Sequence, residues 1–405
     1  MRKILNVEYA TIHGAYWMYY GVICSFASVF LLAKDYSNSS IGLILAVGNI
    51  VAVILQPLIA DFADRAQKIS LIGITQLIGV LLIVLTAVMF FFEQKSIALS
   101  VVFVLLVGWL TVVQPLINTL NFKLEESGIH INFGVARSLG SLAYSVLCAF
   151  LGTIVENFGV IAIPISGEIV LAMLLISLWL TNKHYKKACA LASDGSCKIN
   201  KNKEETIETT EEIITLIDFV KKNKVFIVVS LGIVGLFFSN AILNNFMMQI
   251  VSNVGGDSGD MGRIFSVMAA LEIPTMVLFD NIRRKFSCKF LLKVASVGFV
   301  AKIGLCFLAK SVITLFIAQG MQLFSFALFL PAMVHFIDEA MEKGEAVKGQ
   351  ALFIIMITVS TVFASFIGGI ILDASGAKML LLVSTLVTAI GAVVIVGAID
   401  KVKMK

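Results

Sequence analysis

GTIVENFG at residues 152–159 and GIILDASG at residues 369–376 share one pattern 217 residues apart: a glycine, an acid four positions on, and a closing glycine. Outward from this pair a second correspondence follows. DFADR at 61–65 falls opposite DNIRR at 280–284, at an offset of 219. Two landmarks in one order at nearly equal spacing mark a chain built of two related halves. Both landmarks border long apolar runs, so the repeated unit is a set of membrane spans.

Crossing roughly 30 Å of hydrocarbon takes about 20 apolar residues. Such runs lie near 9–33, 40–60, 69–91, 96–120, 132–155 and 158–181, and again near 225–250, 258–280, 288–309, 312–337, 347–372 and 376–399. With 59% hydrophobic and only 14% charged residues, the 405-residue chain has too few charges to cover a soluble surface. The predicted fold is therefore an all-α membrane protein of about twelve transmembrane helices in two pseudo-symmetric six-helix halves. Residues 1–181 form the first half, 182–224 a cytoplasmic linker, and 225–405 the second half. The opening Met1-Arg2-Lys3 resembles the start of a secretory signal. Glu8, His13 and the cluster Tyr16, Trp17, Tyr19, Tyr20 interrupt any short apolar core, so 9–33 reads as a retained first span.

Loop charge sets the expected orientation. Alternate loops carry Arg2 and Lys3; Arg65 and Lys68; Lys123; a lysine-rich block from Lys183 to Lys224; Arg283, Arg284 and Lys285; Lys343 and Lys348; and Lys401, Lys403 and Lys405. The intervening loops hold little beyond Lys34, Lys95, Lys310 and Lys378. Both termini are thus expected in the cytoplasm, and the net charge of +5 reflects topology, not nucleic-acid binding. The linker begins as polar, flexible sequence and ends with Ile207, Ile214, Ile217 and Val220 at helical spacing, acids first and lysines last, as suits the helix dipole. That end reads either as a membrane-surface helix or as an ordinary soluble one.

Cys24, Cys148, Cys189, Cys197, Cys288 and Cys306 form no CxxC pair or zinc-ligand spacing. No HExxH, nucleophile elbow or P-loop occurs either. No metal, cofactor or enzymatic activity is expected.

Pro57-Leu58-Ile59-Ala60-Asp61-Phe62-Ala63-Asp64-Arg65, after the second span, resembles the cytoplasmic signature of the major facilitator superfamily: glycine, three residues, aspartate, then basic residues. Pro57 and Asp64 stand where glycine is usual. The resemblance runs nearly the whole length and implies a gating latch at Asp61 and Arg65. In the fifth span, Asn132-Phe133-Gly134-Val135-Ala136-Arg137-Ser138-Leu139-Gly140-Ser141-Leu142-Ala143-Tyr144 is similar to the matching stretch of lactose-permease-like oligosaccharide–proton symporters. There an arginine holds sugar hydroxyls and an aromatic seven residues on stacks against the sugar ring; Arg137 and Tyr144 occupy those positions. Leu271-Glu272-Ile273-Pro274 and Lys348-Gly349-Gln350-Ala351 also resemble this branch and the related nucleoside symporters. The departures are equally specific. Asn118 stands where that branch has a fourth-span acid, and Gln322 and Ser325 replace its tenth-span histidine and glutamate. Asn240, Asn244 and Asn245 fall among its seventh-span acids, and Lys302 replaces an arginine.

A charge near the bilayer centre costs roughly 2.5–3.5 kcal/mol on insertion scales, so deep ionisable groups face a wet cavity or a partner. Glu272 lies near the midplane, where burial and a nearby cation pull its proton affinity in opposite directions. It reads either as the proton-coupling site or as one side of a static pair with Lys302 or Arg137. Lys302 is expected as its counter-charge, with substrate contact second. Arg137 lines the cavity or snorkels to the interface; Ser141, Tyr144 and Cys148 continue its face at helical spacing. Asn118, Asn240, Asn244 and Gln322 belong to a dense set of membrane-embedded amides, able to donate and accept or to glue helices together. Tyr16 and Tyr20 lie too deep for an interfacial belt and suit the faces of a sugar or nucleoside, or simple packing.

The expected function is secondary active transport of a small polar solute such as an oligosaccharide or nucleoside, by proton symport and alternating access at a site between the halves. The alternative is a proton-coupled drug or metabolite efflux antiporter, against which stands the proline-free stretch 134–155 of the fifth span. Expected partners are a small-molecule substrate, protons and the lipid bilayer, without nucleic acid. The resemblance implies a cell-membrane location, and the expected state is a monomer.

Overall fold

The computed structural model describes residues 2–65, 69–126, 132–192, 219, 221–402 and 404. The predicted surface helix of the linker, with Ile207, Ile214, Ile217 and Val220, lies outside the described residues, as do Cys197 and the side chains of Arg65 and Cys189.

In hydrocarbon a backbone amide has no water to bond, so each span satisfies itself as a helix. The spans are α1 Ile4–Leu32, α2 Asn38–Arg65, α3 Leu71–Val88, α4 Ile97–Glu126, α5 Phe133–Phe158, α6 Ala162–Ala192, α7 Lys224–Asn245, α8 Ser258–Arg283, α9 Cys288–Leu308 and α10 Val312–Ala340. One continuous stretch, Lys343–Ala398, breaks at Gly376 (φ 75°, ψ −179°) into α11 and α12. Eleven apolar stretches long enough to cross a membrane thus supply twelve spans among the described residues. The protein is multi-pass.

Short polar residues start the helices where the sequence places them. Ser70, Asn132 and Ser287 each accept a hydrogen bond from the backbone amide three residues on, capping α3, α5 and α9. Asp257 with Asp260, and Ser311 with Thr314, form reciprocal capping boxes on α8 and α10.

The duplication reaches the backbone irregularities. Gly159, closing the first quoted motif, has φ 79° and ψ 177°, matching Gly376, which closes the second. That left-handed turn strains any side chain, so glycine recurs at both α5–α6 and α11–α12 junctions. Proline inside a helix deletes one backbone hydrogen bond and bends the axis. Pro57 in α2 corresponds to Pro274 in α8 at an offset of 217, and Pro115 in α4 to Pro331 in α10 at 216.

The chain packs as two compact units, residues 1–35 with 47–207, and residues 36–46 with 208–405. The second holds an aromatic core in which Phe237 meets Phe299, Phe326, Phe329 and Phe353 at 5.8–6.1 Å between ring centres. In that unit the acid of the second quoted motif has a defined task. Asp373 accepts from the Asn38 and Ser39 backbone amides (3.0 and 2.7 Å) and from Asn38 Nδ2 (2.9 Å), closing the start of α2, while Gln249 Nε2 donates to Asn38 Oδ1 (2.9 Å). A carboxylate there offsets the positive helix N-terminus. Lys222, just ahead of α7, donates to Glu345 at the start of α11 (2.6 Å).

Candidate functional site

In each unit a polar cluster lies where the helices depart from regular α geometry. In the second unit α10 tightens into a 3-10 stretch, Gly320–Phe324, with the buried Gln322 inside it. This stretch lies against Gly298 of α9, where a Cβ would come within 2.3 Å of the Phe324 carbonyl oxygen. Only glycine admits that approach. One turn further along α9 stands Lys302, almost fully buried (2% exposed).

Lys302 Nζ donates to Gln322 Oε1 (2.5 Å), and Gln322 Nε2 donates to Glu272 Oε1 of α8 (2.8 Å). Glu272 lies fourteen residues into the 26-residue α8, about 21 Å along it at ~1.5 Å per residue, hence near mid-span. The chemistry fixes the orientation of the amide between them. An ammonium can only donate, so it faces the amide oxygen; an ionised carboxylate can only accept, so it faces the amide nitrogen. The expected counter-charge relation of Lys302 and Glu272 therefore runs through Gln322. Cys306 and Gln319 extend the cluster along α9 and α10, with Gln319 Nε2 3.5 Å from Cys306 Sγ. Gln319 Oε1 and Ser325 Oγ are buried with no hydrogen-bond partner among the described residues. Asn240 and Asn244 are half-buried on α7 and make no hydrogen bond with described residues, whereas Asn245 donates to Ser365 of α11 (2.7 Å). Directly after it Phe246 breaks the helix.

In the first unit the irregularity is a π-helical turn, Gly21–Ser25, within α1. Such bulges recur at functional sites because they re-aim the side chains around them. Ser25, closing the turn, shares a hydrogen bond with the hydroxyl of Tyr144 on α5 (2.7 Å). About two turns earlier on α1, Trp17 packs onto Gly140, where a Cβ would lie 2.7 Å from its Cδ1. Arg137 lays its guanidinium over the Trp17 ring, 4.2 Å from the centre, and donates from Nη1 to Ser141 Oγ (2.8 Å). Tyr16 meets Trp17 edge-on and Tyr20 meets it tilted, both at 5.4 Å. A buried relay lies nearer the start of α1. Tyr9 donates its one proton to the Ile117 carbonyl (3.1 Å), so His13 must donate to Tyr9 from Nε2 (3.0 Å). His13 Nδ1 is then left buried with no partner among the described residues. Asn118 follows Ile117 on α4, half-buried and without a hydrogen bond to described residues.

The sequence profile of the MFS_1-like family matches residues 9–383, nearly the whole chain. The chain belongs to this family. No curated protein sequence matches the chain. Among solved structures, this MFS_1-like protein is similar to the nucleoside transporter NupG (TM-score 0.77, 14% identity, covering 99% of this chain and 100% of that one). It is also similar to a bacterial homologue of the human lysosomal transporter Spinster, solved inward-facing and unoccupied (TM-score 0.71, 15% identity, 99% and 97%). At these identities the likeness carries the fold alone. Family and fold are those of major facilitator transporters and not of enzymes.

Of the residues singled out in the sequence of this MFS_1-like protein, the structure brings Lys302, Gln322 and Glu272 into one chain of hydrogen bonds. Arg137, Tyr16 and Tyr20 gather around a residue not singled out, Trp17. Asp61 is exposed near the end of α2. Glu168 was also missed. It lies six residues into α6 with Oε1 buried and unpartnered among the described residues. An acid inside the apolar run AIPISGEIVLAMLL was the signal that could have found it. No group of three metal-ligating side chains occurs among the described residues.

The guanidinium face on Trp17 gives a direct expectation. Arg137→Lys keeps the charge and loses the planar stack and fork. The contact lies within the protein, so its loss should lower the melting temperature by a few degrees, the order of a partly buried cation–π contact of about 1 kcal/mol. Thermal unfolding of the purified protein in detergent reads this out.

Proposed function

We propose that this chain is a secondary active transporter of a small polar solute, working by proton symport and alternating access. The observation that carries the reading is the line Lys302–Gln322–Glu272, in which two buried side chains and a half-buried carboxylate from three spans are joined where polar groups are costly. Glu272 is the proton-binding group. Ionised, it holds the Gln322 amide and through it Lys302. Protonated, it accepts from Gln322 less strongly and releases amide capacity for a solute hydroxyl or carbonyl. Lys302 and Gln322 contribute to solute binding in this unit with Asn240 and Asn244, whose amides make no hydrogen bond with described residues. Arg137 with Trp17, Tyr16, Tyr20, Tyr144 and Asn118 forms the solute-binding surface of the other unit, flat aromatic faces beside a cationic fork. Asp61 and Arg65 form the gating latch, carried on the end of α2 itself and not, as the sequence suggests, on a turn after it.

Oligosaccharides and nucleosides both fit this chemistry, presenting a ring face and several hydroxyls. The nucleoside transporter among the fold neighbours puts nucleosides first in order of testing. The lysine-rich alternate loops support an orientation with both termini in the cytoplasm. Radiolabelled uptake into proteoliposomes under an inward proton gradient tests the reading, with nucleosides, disaccharides and small organic acids in the panel. Gradient-dependent accumulation of a nucleoside or sugar is expected, abolished by a protonophore. Accumulation driven only by an outward-directed proton gradient on hydrophobic cations would instead establish an antiporter.

A further inference from the structure

A cavity of about 330 Å³ lies in the second unit, away from the Glu272 line, where the segment following α7, the end of α9 and the starts of α10 and α12 come together. Its floor is apolar, with Cys306, Leu315 and Leu381. The exposed Lys310 and Lys378 line it together with Asn253, and no carboxylate among the described residues does so. Neither ammonium has a hydrogen-bond or ion-pair partner among the described residues; only the Lys310 backbone amide is engaged, donating to Thr314 (3.1 Å). Leu308, another lining residue, is 67% exposed, so the cavity reaches the apolar outer surface of the bundle.

The pairing is not a by-product of a basic loop. The loops on this side of the spans are almost free of cations, with Lys34, Lys95, Lys310 and Lys378 as the exceptions. Two of these four, 68 residues apart in sequence, meet at one cavity. Two like charges lining one cavity repel, and an anion held by both reverses the sign of the interaction. The amide of Asn253 can add a neutral donor. An apolar floor beneath a cationic rim suits an anion that carries an apolar body.

We propose that this cavity binds a phosphate-bearing anion, its phosphate held by Lys310 and Lys378 and its apolar part seated on Cys306, Leu315 and Leu381. The same phosphate chemistry could come from a lipid headgroup or from a free phosphate, and the test separates the two. Full-length protein in neutral detergent would be titrated with short-chain phosphatidylglycerol, short-chain phosphatidylcholine or inorganic phosphate at constant ionic strength, with binding followed by calorimetry. Saturable binding of phosphatidylglycerol is expected, weakened on the order of tenfold or more in Lys310→Gln/Lys378→Gln. Binding should be retained in Lys310→Arg/Lys378→Arg and in Lys34→Gln/Lys95→Gln. Inorganic phosphate binding with the same dependence on the two lysines would assign the site to a free anion and leave the proposal standing. If the double glutamine variant does not fold, wild-type binding that weakens steeply with salt and survives in the arginine pair supports the site. Equal binding of phosphatidylcholine, or anion binding indifferent to salt or to removal of the two lysines, overturns it.

Discussion

Glu272→Gln is expected to abolish uphill accumulation while leaving solute exchange across the membrane largely intact. The substitution keeps the shape and an acceptor oxygen for Gln322 Nε2, so the packing of α8 against α10 survives. What it removes is the ability to take up and release a proton at mid-span. Uptake driven by a proton gradient should therefore fall to the level set by equilibration alone. Counterflow, in which preloaded solute exchanges for labelled solute without net proton movement, should continue within a few-fold of wild type. Normal accumulation by this variant would remove Glu272 from the coupling step and return it to a structural charge.

Gln322→Leu should have the largest effect on stability. The change removes one side chain and strands two groups. Lys302 loses the oxygen that accepts from its buried ammonium, and Glu272 loses a donor. Removing one partner of a buried charged contact costs roughly 3–5 kcal/mol, because the remaining charge stays out of water. The tight packing of Gly298 on the Phe324 carbonyl limits how far α10 can shift to relieve it. Thermal unfolding in detergent should show a midpoint lowered on the order of 10 °C, with transport lost. A second change, Lys302→Met, should recover part of the midpoint in the Gln322→Leu background, since it deletes the stranded ammonium; recovery of coupled transport is not expected. An unchanged midpoint in Gln322→Leu would mean that water or another residue serves Lys302.

The spans were legible because lipid permits only helices and closed barrels, and runs of about 20 apolar residues fit only the helix. Runs of apolar residues, the alternation of lysines between loops and the repeated Gly-acid-Gly motif all report on the same constraint, and the backbone turn at Gly159 and Gly376 shows what the repeated glycine is for. The candidate site was legible as a set of residues but not as a set of contacts. Lys302, Gln322 and Glu272 stand out singly because charges and amides are rare in hydrocarbon. That an amide sits between acid and base depends on the 3-10 turn at Gly320–Phe324 and on Gly298 opposite it, neither of which has a sequence pattern of its own. Trp17 was visible in an aromatic cluster. Its role as the surface under Arg137 depends on Gly140, which brings α5 close enough for the ring to fit. The matched prolines, Pro57 with Pro274 and Pro115 with Pro331, were present in the sequence as a register signal and strengthen the duplication that the two motifs first indicate.

Proton movement driven by solute tests the central claim most directly. Proteoliposomes holding a pH-sensitive dye, with no gradient imposed at the start, would receive an inward gradient of the transported solute. Symport through Glu272 predicts that the lumen acidifies as solute enters, that a protonophore abolishes the signal, and that Glu272→Gln admits solute without acidification. Solute entry by the wild-type protein with no change in lumenal pH, or with alkalinisation, would contradict the account.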